Sequence, residues 1–365
     1  MNAPIHTTRS PGHPVGRHWL LTTLTALLLL VGCPVVIAAG DDDGSDLPVL
    51  SLSVLQFGTA HWELDHLQYR GLDRANGFRL ELLPVANLPA SRLAVTAGSV
   101  NGAVADLLWT QFRYQAGASY LYLPFSSRIG EILVAETSEI SSLADLPGKR
   151  IGVAGGPDSK GWVLLNRVAA RQGIDLSASA SVQFAAPPLL SQSLKRGQLD
   201  VIVTYWHFAA RMQGEGGWRS AFSMAELLSE LGLERQLPVL GYVFPEDWAR
   251  QHADLIDRFA VALAGTKADL AREAGHWDRL RPLMGHPADG VFEALRRGFV
   301  QGVPGSQTDQ RIADMKQLLI LTGADPSHIS TTAEHEEIRF HGGDIAMMLA
   351  PVTYRFRDGT GAIVA

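Results

Sequence analysis

The chain of 365 residues is 46% hydrophobic and 19% charged, which supplies apolar material for one large core or two medium ones. A formal net charge of −6 at pH 7 gives no basic surface of the kind nucleic acid requires, so no nucleic-acid partner is expected. Cys33 is the single cysteine, which excludes an intrachain disulfide and any multi-cysteine metal site.

Residues 1–40 read as a signal peptide. Arg9, Arg17 and His18 precede an apolar run from Trp19 to Leu30, small residues follow, and Asp41, Asp42 and Asp43 open a linker over 41–48. The stretch Leu30-Val31-Gly32-Cys33 resembles a lipobox, so Cys33 is a lipid-attachment candidate; cleavage near Ala38, Ala39 or Gly40, with Cys33 discarded, is the alternative. Leu50–Phe57 then patterns as a strand, His61–Ala75 as a helix stopped by Gly77, Phe78–Val85 as a strand, Ala90–Ala97 as a short helix and Val100–Leu107 as a strand.

The same β-α-β-α-β order returns about a hundred residues later. Strand Arg150–Ala154, helix Ser159–Gln172, strand Val182–Ala186, helix Leu189–Arg196 and strand Leu199–Tyr205 follow in turn. Ala97-Gly98-Ser99-Val100-Asn101-Gly102-Ala103-Val104 aligns without gaps on Arg196-Gly197-Gln198-Leu199-Asp200-Val201-Ile202-Val203. Right-handed crossovers make each copy a mainly parallel sheet flanked by helices, so the expected fold is α/β with two lobes and a cleft. Glu131–Ala135 and Val239–Phe244 are placed to cross between lobes and serve as hinge candidates. The expected division is lobe 1 over 49–133 and 243–330, lobe 2 over 134–242, and a peripheral tail over 331–365. Helices over Glu246–Ala274, Trp277–Met284, Asp289–Gly302 and Asp309–Thr322 are expected to dress the first lobe.

Ser142-Leu143-Ala144-Asp145-Leu146-Pro147-Gly148-Lys149-Arg150-Ile151-Gly152-Val153 and Gly197-Gln198-Leu199-Asp200-Val201 resemble recurrent motifs of the nitrate-, taurine- and alkanesulfonate-binding proteins that serve ABC importers. The likeness covers about Leu50 to Thr322. It implies a two-lobed, type II-like periplasmic binding fold, a small anionic ligand, an ABC permease and ATPase as membrane partners, a periplasmic location, no catalysis and no cofactor. Gly155-Gly156-Pro157, a lysine near Trp162, and the Tyr205-Trp206-His207-Phe208-Ala209-Ala210-Arg211 run further resemble a subgroup associated with quinoprotein dehydrogenases, which points to pyrroloquinoline quinone (PQQ) as a ligand. Alkanesulfonate, taurine or nitrate is the alternative ligand class. An enzyme resembling the pyrimidine synthases of thiamine metabolism is the alternative activity, since the same fold hosts those enzymes.

Ligands of open parallel sheets collect at the carboxyl ends of the strands, where this sequence places Thr59, His61 and Trp62, Asp106 and Trp109, Asp158, Ser159, Lys160 and Trp162, and Tyr205, Trp206 and His207. Trp62, Trp109, Trp162 and Trp206 are expected to offer indole faces to a flat ligand, with ordinary packing as the alternative for each. The Gly155–Ser159 loop with Lys160 is the expected anion site, and Arg128 suits a carboxylate or sulfonate unless it pairs with Glu131. No residues are assigned to metal. The run Glu334-His335-Glu336-Glu337 with His341 and Asp344 departs from HExxH and reads as a solvated charge cluster.

Overall fold

The computed structural model describes residues 46–305 and 309–324, together with strand segments at 347–349, 353–357 and 363–364. The signal-peptide and Cys33 readings, and the Glu334–Asp344 run, fall outside these residues. Among the described residues no helix is long and apolar enough to cross a membrane.

The first half of the chain runs β1 (Val49–Leu55), α1 (Thr59–Tyr69), α2 (Leu72–Ala75), β2 (Arg79–Val85), α3 (Leu88–Thr96), β3 (Gly102–Asp106), α4 (Leu107–Gln115), β4 (Tyr120–Ser126) and β5 (Gly130–Ala135). It continues through β6 (Arg150–Ala154), α5 (Lys160–Arg171), α6 (Leu176–Ser179), β7 (Ser181–Ala185), α7 (Pro187–Lys195), β8 (Val201–Tyr205), α8 (Trp206–Glu215), β9 (Trp218–Ser223), α9 (Met224–Glu230) and β10 (Leu240–Pro245). Helices α10 (Glu246–Gln251), α11 (Ala253–Arg272), α12 (Asp289–Gln301) and α13 (Asp309–Leu321) follow, with a 3-10 stretch Ala274–Leu280 after α11. Strands β11 (Met347–Leu349), β12 (Thr353–Arg357) and β13 (Ile363–Val364) close the series.

Two mixed sheets result, with orders β13-β12-β11-β4-β10-β3-β1-β2 and β7-β6-β8-β5-β9. In the first, β1 pairs in parallel with β2 and β3, while β10 lies antiparallel between β3 and β4. In the second, β6 pairs in parallel with β7 and β8, while β5 lies antiparallel between β8 and β9. Strand for strand, β2-β1-β3-β10-β4 repeats as β7-β6-β8-β5-β9.

The aligned pair Asn101 and Asp200 does the same work in both copies. Asn101 Oδ1 accepts from Ser51 N at 2.8 Å, and Asp200 Oδ2 accepts from Arg150 N at 2.8 Å, each tying the start of the third strand to the start of the first. Asp200 also receives the Arg150 guanidinium. The Ser142–Asp145 motif is likewise structural: Asp145 Oδ2 accepts from Ser141 N at 3.0 Å and Ser142 N at 2.9 Å, folding the turn that leads into β6.

Several elements differ from the sequence pattern. β4 is buried along almost its whole length and carries Pro124, so it shows no alternation to read. The expected helix over 246–274 breaks at His252, whose Nδ1 lies 2.8 Å from the Trp248 carbonyl oxygen, and the helix over 61–75 breaks at Gly71, φ +64°. Neither expected crossing strand spans the lobes: β5 lies wholly in the second sheet and β10 wholly in the first. The chain changes sheet at Ser127–Ile129 and between α9 and β10. Residues 347–349, placed by sequence in a peripheral tail, pair antiparallel with β4.

The core of the first sheet gathers Leu50, Leu52, Trp62, Leu64, Tyr242, Phe244, Phe259 and Trp277, all without exposed surface, and continues into α12 and the first turns of α8. A second core joins the inner faces of β5, β6 and β8 to Leu318 and Leu319 of α13. Helix α12 therefore packs on α8 of the second copy rather than only on the first lobe. The two backbones approach closely enough that a Cβ on Gly214 would stand 2.5 Å from Val291 Cα.

Candidate functional site

The carboxyl ends of both sheets meet at two adjoining chambers. The larger encloses about 290 Å³ and is walled by Arg92, Asp106, Trp109 and Phe112 from the first copy and by Gly155, Gly156, Asp158, Ser159, Lys160 and Tyr205 from the second. The smaller, about 80 Å³, is walled by Thr59, Ala60, Arg128, Lys160, Trp206 and His207. Lys160 and Tyr205 stand at the border of both.

Local sequence explains each wall. Gly155, φ +92°, turns the chain out of β6, and its missing side chain leaves room for the Tyr205 hydroxyl. Ser159 then starts α5 without a side-chain cap, so the first N–H groups of that helix keep no partner within it. Gly58 before α1 and Tyr205 before α8 likewise give no side-chain cap, although His61 N in α1 donates to the Gly58 carbonyl at 3.0 Å. Residues from the first turns of α1, α5 and α8 thus converge on the small chamber, each adding the positive end of a helix dipole. Helices α3 and α4 differ, because Asn87 Oδ1 accepts from Ala90 N at 2.9 Å and Asp106 Oδ1 from Trp109 N at 2.9 Å, each occupying its helix N-terminus.

Asp106 is also the hub of the charges. Arg92 Nη2 lies 2.6 Å from its Oδ2 and Lys160 Nζ lies 3.9 Å from the same atom. Burial pushes the Asp106 carboxyl up, but Lys160, Arg92 and the Trp109 N–H outweigh burial and hold it below the usual carboxylate range. Burial pushes the Lys160 amine below its ordinary value, Asp106 opposing and Arg92 adding to the effect. Burial lowers His207 to about 3, with Arg211 contributing, so its imidazole is neutral at pH 7. The Arg92 Nε and the Ser159 and Thr204 hydroxyls are buried without hydrogen-bond partners. These groups are left able to hydrogen-bond a ligand, Arg92 Nε as a donor and the two hydroxyls as donor or acceptor.

The residues singled out by sequence divide accordingly. Thr59, Asp106, Trp109, Arg128, Asp158, Ser159, Lys160, Tyr205, Trp206 and His207 line one chamber or both. His61 does not; its Nδ1 turns back to the Gln56 carbonyl. The expected quartet of indole faces is corrected. Trp62 is fully buried, edge-on to Trp206 and Trp277, and Trp162 is buried and edge-on to Phe184. One turn inside its helix, Trp62 turns toward Trp206, Trp277 and Phe299, and Trp162 turns toward Phe184 of β7. Trp206 shows only an edge of the small chamber, being 3% exposed. Trp109 remains as a wall, with the Arg92 guanidinium carbon 5.6 Å from its ring centre. Arg128 both pairs with Glu131, at 3.3 Å, and lines the small chamber.

Sequence reading missed Arg92 and Phe112. Arg92 sits one turn into α3 after the Asn87 cap, and Phe112, about half exposed, follows Trp109 by three residues on α4. The second strand of the copy, whose carboxyl end also faces the cleft, was the available signal for Arg92.

The family model described as NMT1/THI5 like matches residues 74–272, more than half of the chain. No curated protein matches it significantly. Among solved structures, the periplasmic aliphatic sulphonate binding protein SsuA of Escherichia coli is similar with a TM-score of 0.61 at 18% identity, over 75% of this chain and 91% of that one. The alkanesulfonate-binding protein SsuA of Xanthomonas axonopodis bound to MOPS gives 0.58 at 19%, over 74% and 90%. The periplasmic nitrate-binding protein NrtA of Synechocystis gives 0.56 at 12%, over 77% and 83%. These likenesses establish a periplasmic binding protein fold.

Proposed function

Since the chain belongs to the NMT1/THI5-like family, we propose that it is an extracytoplasmic solute-binding protein which captures a small organic anion between its lobes and delivers it to an ABC importer. The observation that carries this reading is the convergence of three uncapped helix N-termini with Arg128 and Lys160 on one small chamber. An acidic group seated there meets donors that are already desolvated and oriented. Its body extends into the larger chamber, beside Trp109, Phe112 and Tyr205. Export by residues 1–40, with Cys33 retained as a lipid anchor or removed, belongs to the same proposal.

A planar ligand with several carboxylates, PQQ in the first instance, uses both chambers. An alkanesulfonate or nitrate, as named for the similar structures, uses only the smaller one. Titrating PQQ and taurine while following tryptophan fluorescence separates the two. PQQ is expected to bind and quench, Lys160→Ala to weaken binding by about 1.5–3 kcal/mol as for a lost charged hydrogen bond, and Trp109→Ala to weaken it as well. Tight binding of taurine with none of PQQ leaves the anion chamber standing and removes the aromatic part. Failure of every organic anion to bind removes the proposal.

A further inference from the structure

About two turns along α1 from chamber-lining Thr59 and Ala60, that helix, the end of α11 and the 3-10 stretch after it bring together His66, Asp269 and His276. One potential ligand atom from each lies within 4.8 Å of the others. His66 has no exposed surface, and neither of its ring nitrogens has a hydrogen-bond partner. Its Nε2 faces Asp269 Oδ2 at 3.9 Å, and its ring centre lies 5.0 Å from that of His276. A buried imidazole with two idle nitrogens is costly unless something engages it. We infer that His66, Asp269 and His276 form a binding site for a divalent transition-metal cation, Zn²⁺ by the chemistry of the donors.

Two imidazoles and a carboxylate are a nitrogen–oxygen set suited to Zn²⁺, with a fourth position left for water. Ligand atoms around tetrahedral Zn²⁺ stand roughly 3.4 Å apart, given bonds near 2.1 Å. The inward movement is small and falls on Asp269 and His276, whose side chains are each 17% exposed, while His66 is fixed by packing. Trp277, buried and donating from Nε1 to the Leu270 carbonyl at 2.8 Å, holds the neighbouring His276 against α11. The exposed Glu273 carboxylate, 3.1 Å from His276 Nε2, is the outer partner a bound imidazole would use.

The surrounding charges set the terms of binding. Arg70 Nε lies 3.2 Å from Asp269 Oδ2 and Arg272 Nη2 lies 3.4 Å from Oδ1, so a cation displaces Arg70 from the shared carboxylate. Both arginines are exposed enough to swing into solvent. Arg279 is engaged by Asp65 and lies over Tyr69. Burial, with His276 and Arg279 adding, lowers His66 to about 4, so the imidazole is in its ligating form at neutral pH.

The site is tested on the untagged chain after chelation and desalting. Calorimetric titration is expected to show one Zn²⁺ per chain, and Co²⁺ to develop visible absorption bands of an imidazole–carboxylate site. His276→Ala and Asp269→Asn are each expected to weaken Zn²⁺ binding by at least about tenfold and to abolish the Co²⁺ bands. Near-ultraviolet circular dichroism of both variants is expected to match that of the parent. Absence of stoichiometric Zn²⁺, or unchanged affinity in both folded variants, overturns the inference.

Discussion

At the scale of single residues, the cleft is governed by which polar groups are left over once the fold has used the rest. Asp106 is spent on capping α4 and neutralising Arg92 and Lys160, whereas no N-cap side chain is spent on the N–H groups opening α1, α5 and α8. Sequence placed the loops correctly because glycine, proline and strand patterning mark them. It misjudged the indoles because the direction of a side chain one turn into a helix depends on how that helix lies on its sheet. His207 shows what burial does to a titratable neighbour of this site. Its folded value of about 3 lies below the ordinary 6.5, so between those limits the unfolded chain binds the extra proton. Stability from this group is complete above pH 6.5 and falls as pH drops toward 3. Urea unfolding from pH 4.5 to 7 is expected to show a slope steeper by up to about 1.4 kcal/mol per pH unit in the parent than in His207→Gln. Equal slopes would reject a neutral buried imidazole.

At the scale of elements, glycines set how closely the parts approach. Gly130 opens β5 opposite Tyr205, and a Cβ there would run into the Thr204 carbonyl oxygen of β8, a backbone atom with nowhere to go. Gly130→Ala is therefore expected to destabilise the second sheet by about 1–3 kcal/mol, as overpacking does. The midpoint of urea unfolding measures it, and an unshifted midpoint would show that β5 and β8 can part freely. The two motifs that carried the family resemblance prove to be elements of this kind. Asp145 and Asp200 fasten backbone at the amino end of the second sheet and form no part of either chamber. The sequence features easiest to recognise identified the fold, while Arg92 and Phe112, which shape the cleft, lie in helices without any motif.

At the scale of the whole molecule, the duplicated strand order was legible because the two copies keep the same punctuation. β4 and β9 escaped because they carry no clean alternation, β4 being buried almost throughout and β9 half-buried along its whole length. The cleft between the copies motivates closure about Ser127–Ile129 and the segment between α9 and β10. Small-angle scattering is expected to give a smaller radius of gyration with a confirmed ligand than without, and identical profiles at saturation would count against a hinge. The close seating of α12 on α8 limits the movement, since α12 must travel with the second copy or slide across it.

The order of strands also bears on how the molecule is put together. Each copy supplies four strands to its own sheet and hands the next one to its neighbour: β5 leaves the first copy for the second sheet, and β10 leaves the second copy for the first. The exchanged strand is in both cases an interior one, lying between β3 and β4 or between β8 and β9. The chain is in effect a tandem fusion of two protomers that have swapped arms. A nick between β5 and β6 would leave two fragments, the first lacking β10 and the second holding a strand that belongs elsewhere. Neither fragment owns a complete sheet, so each lobe needs a strand from the other copy to be whole, and the walls of the cleft are joined by the strands they exchange.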